Sequence, residues 1–584
     1  LSESGERPPR VPTKTTGHCI ELMALRRLMT AATVHPRIGR FAVLAARGLV
    51  LGFALPLCCG VQAQEPVATL PSFAQLEAEG AKIGQIRILN RNIFNTDDPQ
   101  EDKALFRWAN ALHFRTRVGV IERTLLFRSG DPVSVRLIEE TERVLRSSRY
   151  LYDVQLRPTA VHDGLVDIDV ETHDSWTLDP GISAGRSGGA NSGGIKLSEY
   201  NLLGTGVAVS YSRSTNVDRS SNEFQFSNER AFGGWTSLRY SRAKNSDGSR
   251  DAAAVAHPFY ALDTNWAAGV SISKDDRIDA IYNAGNVVSQ YRHRLNQADV
   301  YGGLSQGRVD GWVQRYSIGV SANDDAFAPE PGLLAPAQLP SDEKLVAPYF
   351  RYELIEDRFE TLRNRNQIER PEFFAVGLAA TLQLGRATTG LGSSRNAWLY
   401  SGSISRGFEP VPQHILLASA TFDGRYSDGQ TRRQRVGGQL QYYLPQNKQW
   451  LFYASVSGDV VTRPEIPDAL LLGGDNGLRG YPLRYQSGDR RTLFTLEERA
   501  YTDIYLWRLF RIGAAAYIDI GRAWGGNNVN VANPGWLSDA GFGLRIFSVR
   551  SAFSNVLHVD LAFPNDPDIS IKRVQFMVKT KTSF

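Results

Sequence analysis

Ile512–Gly521 reads IGAAAYIDIG. Ile512, Ala514, Ala516, Ile518 and Ile520 share one parity, and Gly513, Tyr517 and Asp519 share the other. Strand side chains alternate between faces, so this segment is a strand with one wholly apolar face and an opposite face that carries a full charge. The pattern recurs. Trp450, Phe452, Ala454, Val456 and Val460 oppose Ser455, Ser457 and Asp459, and Leu557, Val559, Leu561 and Phe563 oppose His558 and Asp560. At the C-terminus Val574, Phe576, Val578 and Phe584 oppose Arg573, Gln575, Lys579 and Lys581.

Soluble sandwiches also alternate, with the polar face outside. Three features favour the inverted arrangement of a membrane barrel: an export signal, a long run of strands without helices, and the terminal aromatic Phe584. Trp235, Trp266, Trp312, Trp398, Trp507 and Tyr505 stand at strand ends, where interfacial aromatic girdles form. After Ala63 no stretch reaches 18 uninterrupted apolar residues, which excludes transmembrane helices but not transmembrane strands. The fold expected for residues 178–584 is a mainly β, transmembrane antiparallel β-barrel of about sixteen strands, each about 10 residues long.

The charge of the 584-residue chain, +5, suggests an acidic partner until it is located. Residues 1–63 hold eight Lys/Arg and three acids, leaving 58 of each sign in the remainder. The main body is therefore neutral, and nucleic acid is not an expected partner. Cys19, Cys58 and Cys59 are the only cysteines, so thiol catalysis, disulfides and thiolate zinc sites are excluded beyond residue 59. Arg37, Arg40 and Arg47 precede Gly48–Ala63, GLVLGFALPLCCGVQA. A basic start, an apolar run broken at Pro56 and a small-x-small end describe a secretory signal cleaved after Ala63. Residues 1–63 are read as presequence, with an over-long start before Met23, and 64–80 as a short linker.

Residues 81–175 read as a small α+β domain. Ile83–Phe94 is a strand. Leu105, Trp108, Ala109 and Leu112 mark one apolar helix face, and a second short helix is expected over Arg117–Phe127. Gly130-Asp131-Pro132 supplies a cap and a first-turn proline for a third helix, which buries Leu137, Ile138, Thr141, Val144 and Leu145. Tyr152, Val154 and Leu156 pair with Val166, Ile168 and Val170 across an Asp163-Gly164 turn. His162 falls at the tip of this hairpin and His173 near its open end, roughly 35 Å apart, so they form no metal site.

Several motifs then stand in order: EYNLLGTG at 199–206, LGGDNGLRGYP at 472–482, TLFTLEERAYT at 492–502, YIDIG at 517–521, DAGFGLRI at 539–546 and LHVDLAFP at 557–564. Together they resemble the C-terminal barrel of the BamA/TamA-type outer-membrane insertase superfamily, which also contains the two-partner secretion transporters. Residues 83–173 resemble its periplasmic POTRA module. The resemblance implies that the loop bearing Arg479, Gly480 and Tyr481 folds back into the lumen, where Arg479 meets Asp519, with Glu497 as a second acidic partner. Gly521, Gly541, Gly543, Arg545 and Asp560 are further barrel motif residues. Parity independently sets Asp519 opposite the apolar stripe and puts Glu497 beside Arg499. Glu498 falls on the apolar face, which fits only at the membrane rim. The departure from the family is a single POTRA-like domain, with Asp97–Leu112 as an added helix.

The implied function is assistance in inserting or translocating β-rich polypeptides at the bacterial outer membrane, with the POTRA-like domain in the periplasm. Implied partners are outer-membrane lipid, unfolded β-rich clients, and periplasmic chaperones or accessory lipoproteins. The alternatives are a dedicated two-partner secretion transporter and a passive pore. No enzyme is expected: His558 and Asp560 share a parity with no serine to activate, and no nucleotide loop occurs. No cofactor or metal is expected.

Overall fold

The computed structural model describes residues 70–465, 468–526, 535–548, 556–565, 571–581 and 584. The expected presequence lies outside the described residues. Within the stretch read as linker, Phe73–Ala78 forms helix α1, closed by a Ser72 capping box, with Leu76 fully buried.

The α+β part is a three-stranded sheet. Strand β1 (Lys82–Arg91) runs parallel to the central β3 (Leu165–Asp174), which pairs antiparallel with β2 (Leu151–His162). The β2–β3 turn has positive φ at both Asp163 and Gly164, as the Asp-Gly pair requires. His162 lies beside this turn and His173 pairs with Asp153 at the other end of the hairpin. Helices α2 (Ala104–Leu112), α3 (Val118–Glu122) and α4 (Val135–Arg146) connect β1 to β2. Helix α4 buries Ile138 and Leu145 against Ile83, Val154, Val166, Ile168 and Val170.

Two details differ from the sequence reading. The cap of α4 is Ser134, whose side chain accepts from the Leu137 amide at 3.5 Å. The Asp131-Pro132 stretch instead borders β1, where the Asp131 carbonyl accepts from the Ile83 amide at 2.8 Å. Helix α2 is where expected, but it buries Phe106 and Ala109 and leaves Leu105, Trp108 and Leu112 exposed.

Residues 178–581 close into an antiparallel barrel of twenty strands among the described residues, not sixteen. An average strand and loop length conceals how tightly this chain turns. Residues 188–189, 284–285, 310–311 and 428–429 are two-residue turns with positive φ at both positions, the mirror-image geometry that suits twisted hairpins. Strand length also varies, from 24 residues at Asn286–Val309 to seven at Gln575–Lys581. Alternation holds: Ile518 and Ile520 are exposed outward, whereas Tyr517 and Asp519 are buried. No helix among the described residues is long and apolar enough to cross a membrane.

The α+β part docks on one end of the barrel, here the sheet end. Glu140 of α4 accepts from the Leu262 amide at 2.7 Å, Arg136 pairs with Asp263, and Asn201 donates to the Thr116 hydroxyl at 2.8 Å. Glu498 accepts from Gln446 at 3.1 Å. Gln446 lies in a sheet-end turn, so this charge on the apolar face sits at the rim. Trp266, Trp398 and Trp507 are exposed as girdle residues would be, but Trp235 turns aside to stack on Tyr260 at 3.9 Å. Phe584 also departs from its assigned face. It is buried 4.6 Å from Tyr501, in the space left open by Gly513, and its amide donates to the Asn366 carbonyl at 2.7 Å.

Candidate functional site

The connection between two barrel strands at the end opposite the sheet, here the loop end, folds back into the lumen over residues 468–489. A short hairpin, Leu470–Leu472 against Gln486–Gly488, forms the stem. Gly473, Gly474 and Gly477 take positive φ between its arms, conformations that explain the glycine-rich LGGDNG run. Leu472, Leu478, Tyr481 and Tyr485 bury themselves with Ala523 and Leu537 of the wall and with Ile571 of a neighbouring connection. The loop therefore has its own apolar core and a defined shape.

That shape delivers Arg479 to the wall. Its Nε donates to Asp519 Oδ2 at 2.6 Å, one terminal nitrogen to Asp519 Oδ1 at 3.0 Å, and the other to Glu497 Oε1 at 2.9 Å. The Tyr517 ring lies against the guanidinium, 3.3 Å from its centroid. The Thr495 hydroxyl donates to Asp519 at 2.8 Å. All three charged side chains are buried, where a fork of this kind gives both strength and fixed geometry. Desolvating an ion pair is costly, so its value lies more in specifying one loop position than in net stability.

The rest of the triplet continues the grip. The Gly480 amide donates to Asp539 Oδ2 at 3.0 Å. A Cβ at Gly480 would stand 2.8 Å from the Asp539 Cβ and 3.0 Å from the Pro564 nitrogen, so only glycine fits without displacement. The Tyr481 hydroxyl lies 2.8 Å from the Asn565 carbonyl and 3.1 Å from that of Ser538. Gly521 lies against Leu472 of the stem, and Gly541 faces the Tyr517 ring. Arg545 and Asp560 form a separate, fully buried pair at 2.6 Å, and the Asp560 carboxylate fills the space a Gly543 side chain would need.

A second insertion enters from the sheet end, built on the hairpin Phe359–Leu362 with Glu372–Ala375. Glu497 links the two: its second oxygen accepts from Arg499 Nε at 2.9 Å, and Arg499 also donates to the Arg365 carbonyl at 2.8 Å. At the loop end, Arg484 donates to both Asp218 oxygens, at 2.5 and 2.6 Å, and contacts the Tyr282 hydroxyl. The hydrogen bonds from Arg484 hold the Asp218 carboxyl below its ordinary pKa. The loop also touches both sides of the barrel closure: Lys579 Nζ on the last strand donates to the Asp475 carbonyl at 3.3 Å, and the Leu483 amide donates to that of Gly188, in the turn after the first strand, at 3.4 Å.

Asp539 escaped the sequence reading, and Tyr517 entered it only as a residue of the polar face, although both stand in the quoted motifs on the parity of Asp519. Asp218, Arg365 and Arg484 carry no such signal, because partners 134 and 266 residues apart leave no local pattern. Across the lumen from the filled side lies a cavity of about 1080 Å³, lined by neutral polar side chains such as Ser210, Gln225 and Asn323 and by the charged Lys196, Glu229, Arg230, Arg239 and Asp299.

No family model and no curated protein matches the chain. Among solved structures it is similar to BamA from Haemophilus ducreyi lacking POTRA domains 1–3, at 13% identity over 85% of each chain with a TM-score of 0.39. It is similar to CdiB from Acinetobacter baumannii, at 12% identity over 86% of this chain and 74% of that one, TM-score 0.42. CdiB from Escherichia coli matches at 13% identity over 85% and 76%, TM-score 0.46. The structural neighbours of this chain thus include BamA and CdiB barrels.

Proposed function

We propose that the chain is an outer-membrane protein that assists insertion or translocation of β-rich polypeptides. Residues 81–175 act as a POTRA-like module in the periplasm, and the barrel is gated where its first and last strands meet. The observation that carries this reading is the seam. Between Leu178–Ser187 and Gln575–Lys581, Val578 opposite Arg186 is the one register pair among the described residues. The flanking strand pairs hold seven and ten. In lipid an unpaired strand edge is costly, so a weakly zipped seam is both the place a barrel opens and a template for a client strand.

The lumenal loop supports the same reading. It touches Gly188, in the turn after one seam strand, and Lys579 on the other, and Arg479 locks it to the wall. Release of that lock frees the seam. The test is Arg479→Ala and Asp519→Ala at equal barrel abundance, with the outer-membrane proteome as readout. Loss of β-rich clients is expected, and unchanged clients would overturn the reading.

The open polar cavity, with charges of both signs on its wall, favours a second version, a transporter for a dedicated exported chain. Its Ser, Asn and Gln side chains offer an extended polypeptide hydrogen bonds, and its mixed charges select for neither sign alone. Conductance that rises when the Phe359–Ala375 insertion is deleted, with a single exported protein lost on gene disruption, would select that version.

A further inference from the structure

Helix α2 turns its apolar stripe away from the core. Leu105, Trp108 and Leu112 are 60, 61 and 50% exposed, and Phe114 just beyond the helix is 61% exposed. The protein-facing side is already filled: Phe106 stacks on Phe94 at 4.1 Å, and Ile93, Trp176 and Leu509 complete that cluster. Four large apolar side chains grouped on one surface need a partner, whereas scattered ones do not.

The position of the helix says which partner. On one side Arg508 pairs with Asp98 and Glu101 at 3.7 and 4.0 Å. On the other, the Arg117 amide donates to the Gly204 carbonyl at 2.9 Å. Between the turns that carry Arg508 and Gly204 the barrel places six strands, and the seam is among them. Trp176, against α2, stands two residues before the seam strand Leu178–Ser187. The segment therefore crosses the rim at the foot of the seam. At that rim the outward face of the barrel ends in exposed Ile504, Leu506 and Trp507, so the apolar surface of α2 continues the wall. Residues 103–123 also carry five basic residues (Lys103, Arg107, Arg115, Arg117 and Arg123) against one acid, Glu122.

We propose that α2 is an interfacial helix whose Leu105–Trp108–Leu112 face lies in the lipid leaflet at the sheet end, with the flanking cations at phosphate headgroups. This rests on reading the barrel as membrane-spanning. A short amphipathic helix with basic flanks buries its apolar face about 5–10 Å into the headgroup–acyl boundary. Here it fixes the depth of the rim and wedges the leaflet where the seam opens.

The test places nitroxide labels, one at a time, by Leu105→Cys, Trp108→Cys, Leu112→Cys, Arg107→Cys and Ile518→Cys. The full chain, with Cys19, Cys58 and Cys59 replaced by serine, is reconstituted in phosphatidylethanolamine–phosphatidylglycerol vesicles. Accessibility to oxygen is compared with accessibility to a water-soluble nickel complex. Positions 105, 108 and 112 are expected to favour oxygen, and 107 to favour nickel. Nickel access at 105, 108 and 112 would overturn the proposal. So would shielding from both reagents, which would mean that protein covers the face. Ile518 separates the two readings: oxygen access there with nickel access at α2 removes only the interfacial helix, whereas nickel access at Ile518 removes the spanning barrel as well.

Discussion

Arg479 and Asp519, forty residues apart, meet in a two-point fork of 2.6 and 3.0 Å inside the barrel, where neither is open to solvent. One is a loop residue and the other a wall residue, so the pair records whether the loop is home.

Arg479→Ala leaves the buried Asp519 carboxylate without its cation, while Glu497 keeps Arg499. Breaking one side of a buried ion pair costs about 3–5 kcal/mol, so the variant is expected to unfold at lower denaturant and to expose residues 468–489 to protease. Arg479→Lys keeps the charge but loses the fork, and should fall between the two. Equal protease resistance in all three forms would contradict the lock.

Gly480→Ala tests the same closure by sterics alone. The added methyl would press on Asp539 and the Pro564 backbone, an overpacking cost of about 1–3 kcal/mol. Gly302→Ala, where nothing lies within 4 Å, is the control. The expected result is a lowered heat-mobility transition for Gly480→Ala and none for Gly302→Ala.

The Asp218–Arg484 latch gives the loop an acid dependence. Arg484 depresses the Asp218 pKa in the folded protein, so the latch is fully present above the unfolded carboxylate value, near pH 4, and is lost as pH falls through the folded value. Tyr282 and Arg219 also face this carboxylate. A fluorophore on the loop tip should report release at acidic pH in the native protein. Asp218→Asn should show the released signal already at neutral pH and no further change in that window.

Arg499→Ala separates the two lumenal insertions. It removes the donor shared by Glu497 and the Arg365 carbonyl, so the insertion from the sheet end should loosen while the Arg479–Asp519 fork persists. Hydrogen exchange should rise over residues 359–375 before it rises over 470–488. Simultaneous release would mean that the insertions are one cooperative unit.

How much of this was legible in the sequence depends on the range of the interaction. Period-two alternation fixed which face of Ile512–Gly521 holds Asp519, because the pleat leaves no other choice. The same rule put Phe584 on the outward face and missed, because its burial is set by Gly513, Tyr501 and Asn366, all distant in sequence. Helix α2 shows the converse: its Leu105–Trp108–Leu112 stripe was correct as a stripe, but periodicity cannot tell whether protein or lipid covers it. The strand count failed because turn length, not strand length, was the hidden variable. The Arg479 cluster was visible through its ordered motifs, whereas Asp218 and Arg365 lie in segments with no pattern of their own.

The most direct test of the account is to lock the seam. Arg186 and Val578 face each other across it, and directly opposed antiparallel residues stand about 4.5–5.5 Å apart at Cα, within disulfide range. Arg186→Cys with Val578→Cys, in a chain whose three native cysteines are serine, is compared oxidised and reduced for delivery of β-rich clients to the outer membrane. Oxidation is expected to abolish delivery and reduction to restore it. Normal delivery by the fully cross-linked barrel would contradict a gated seam.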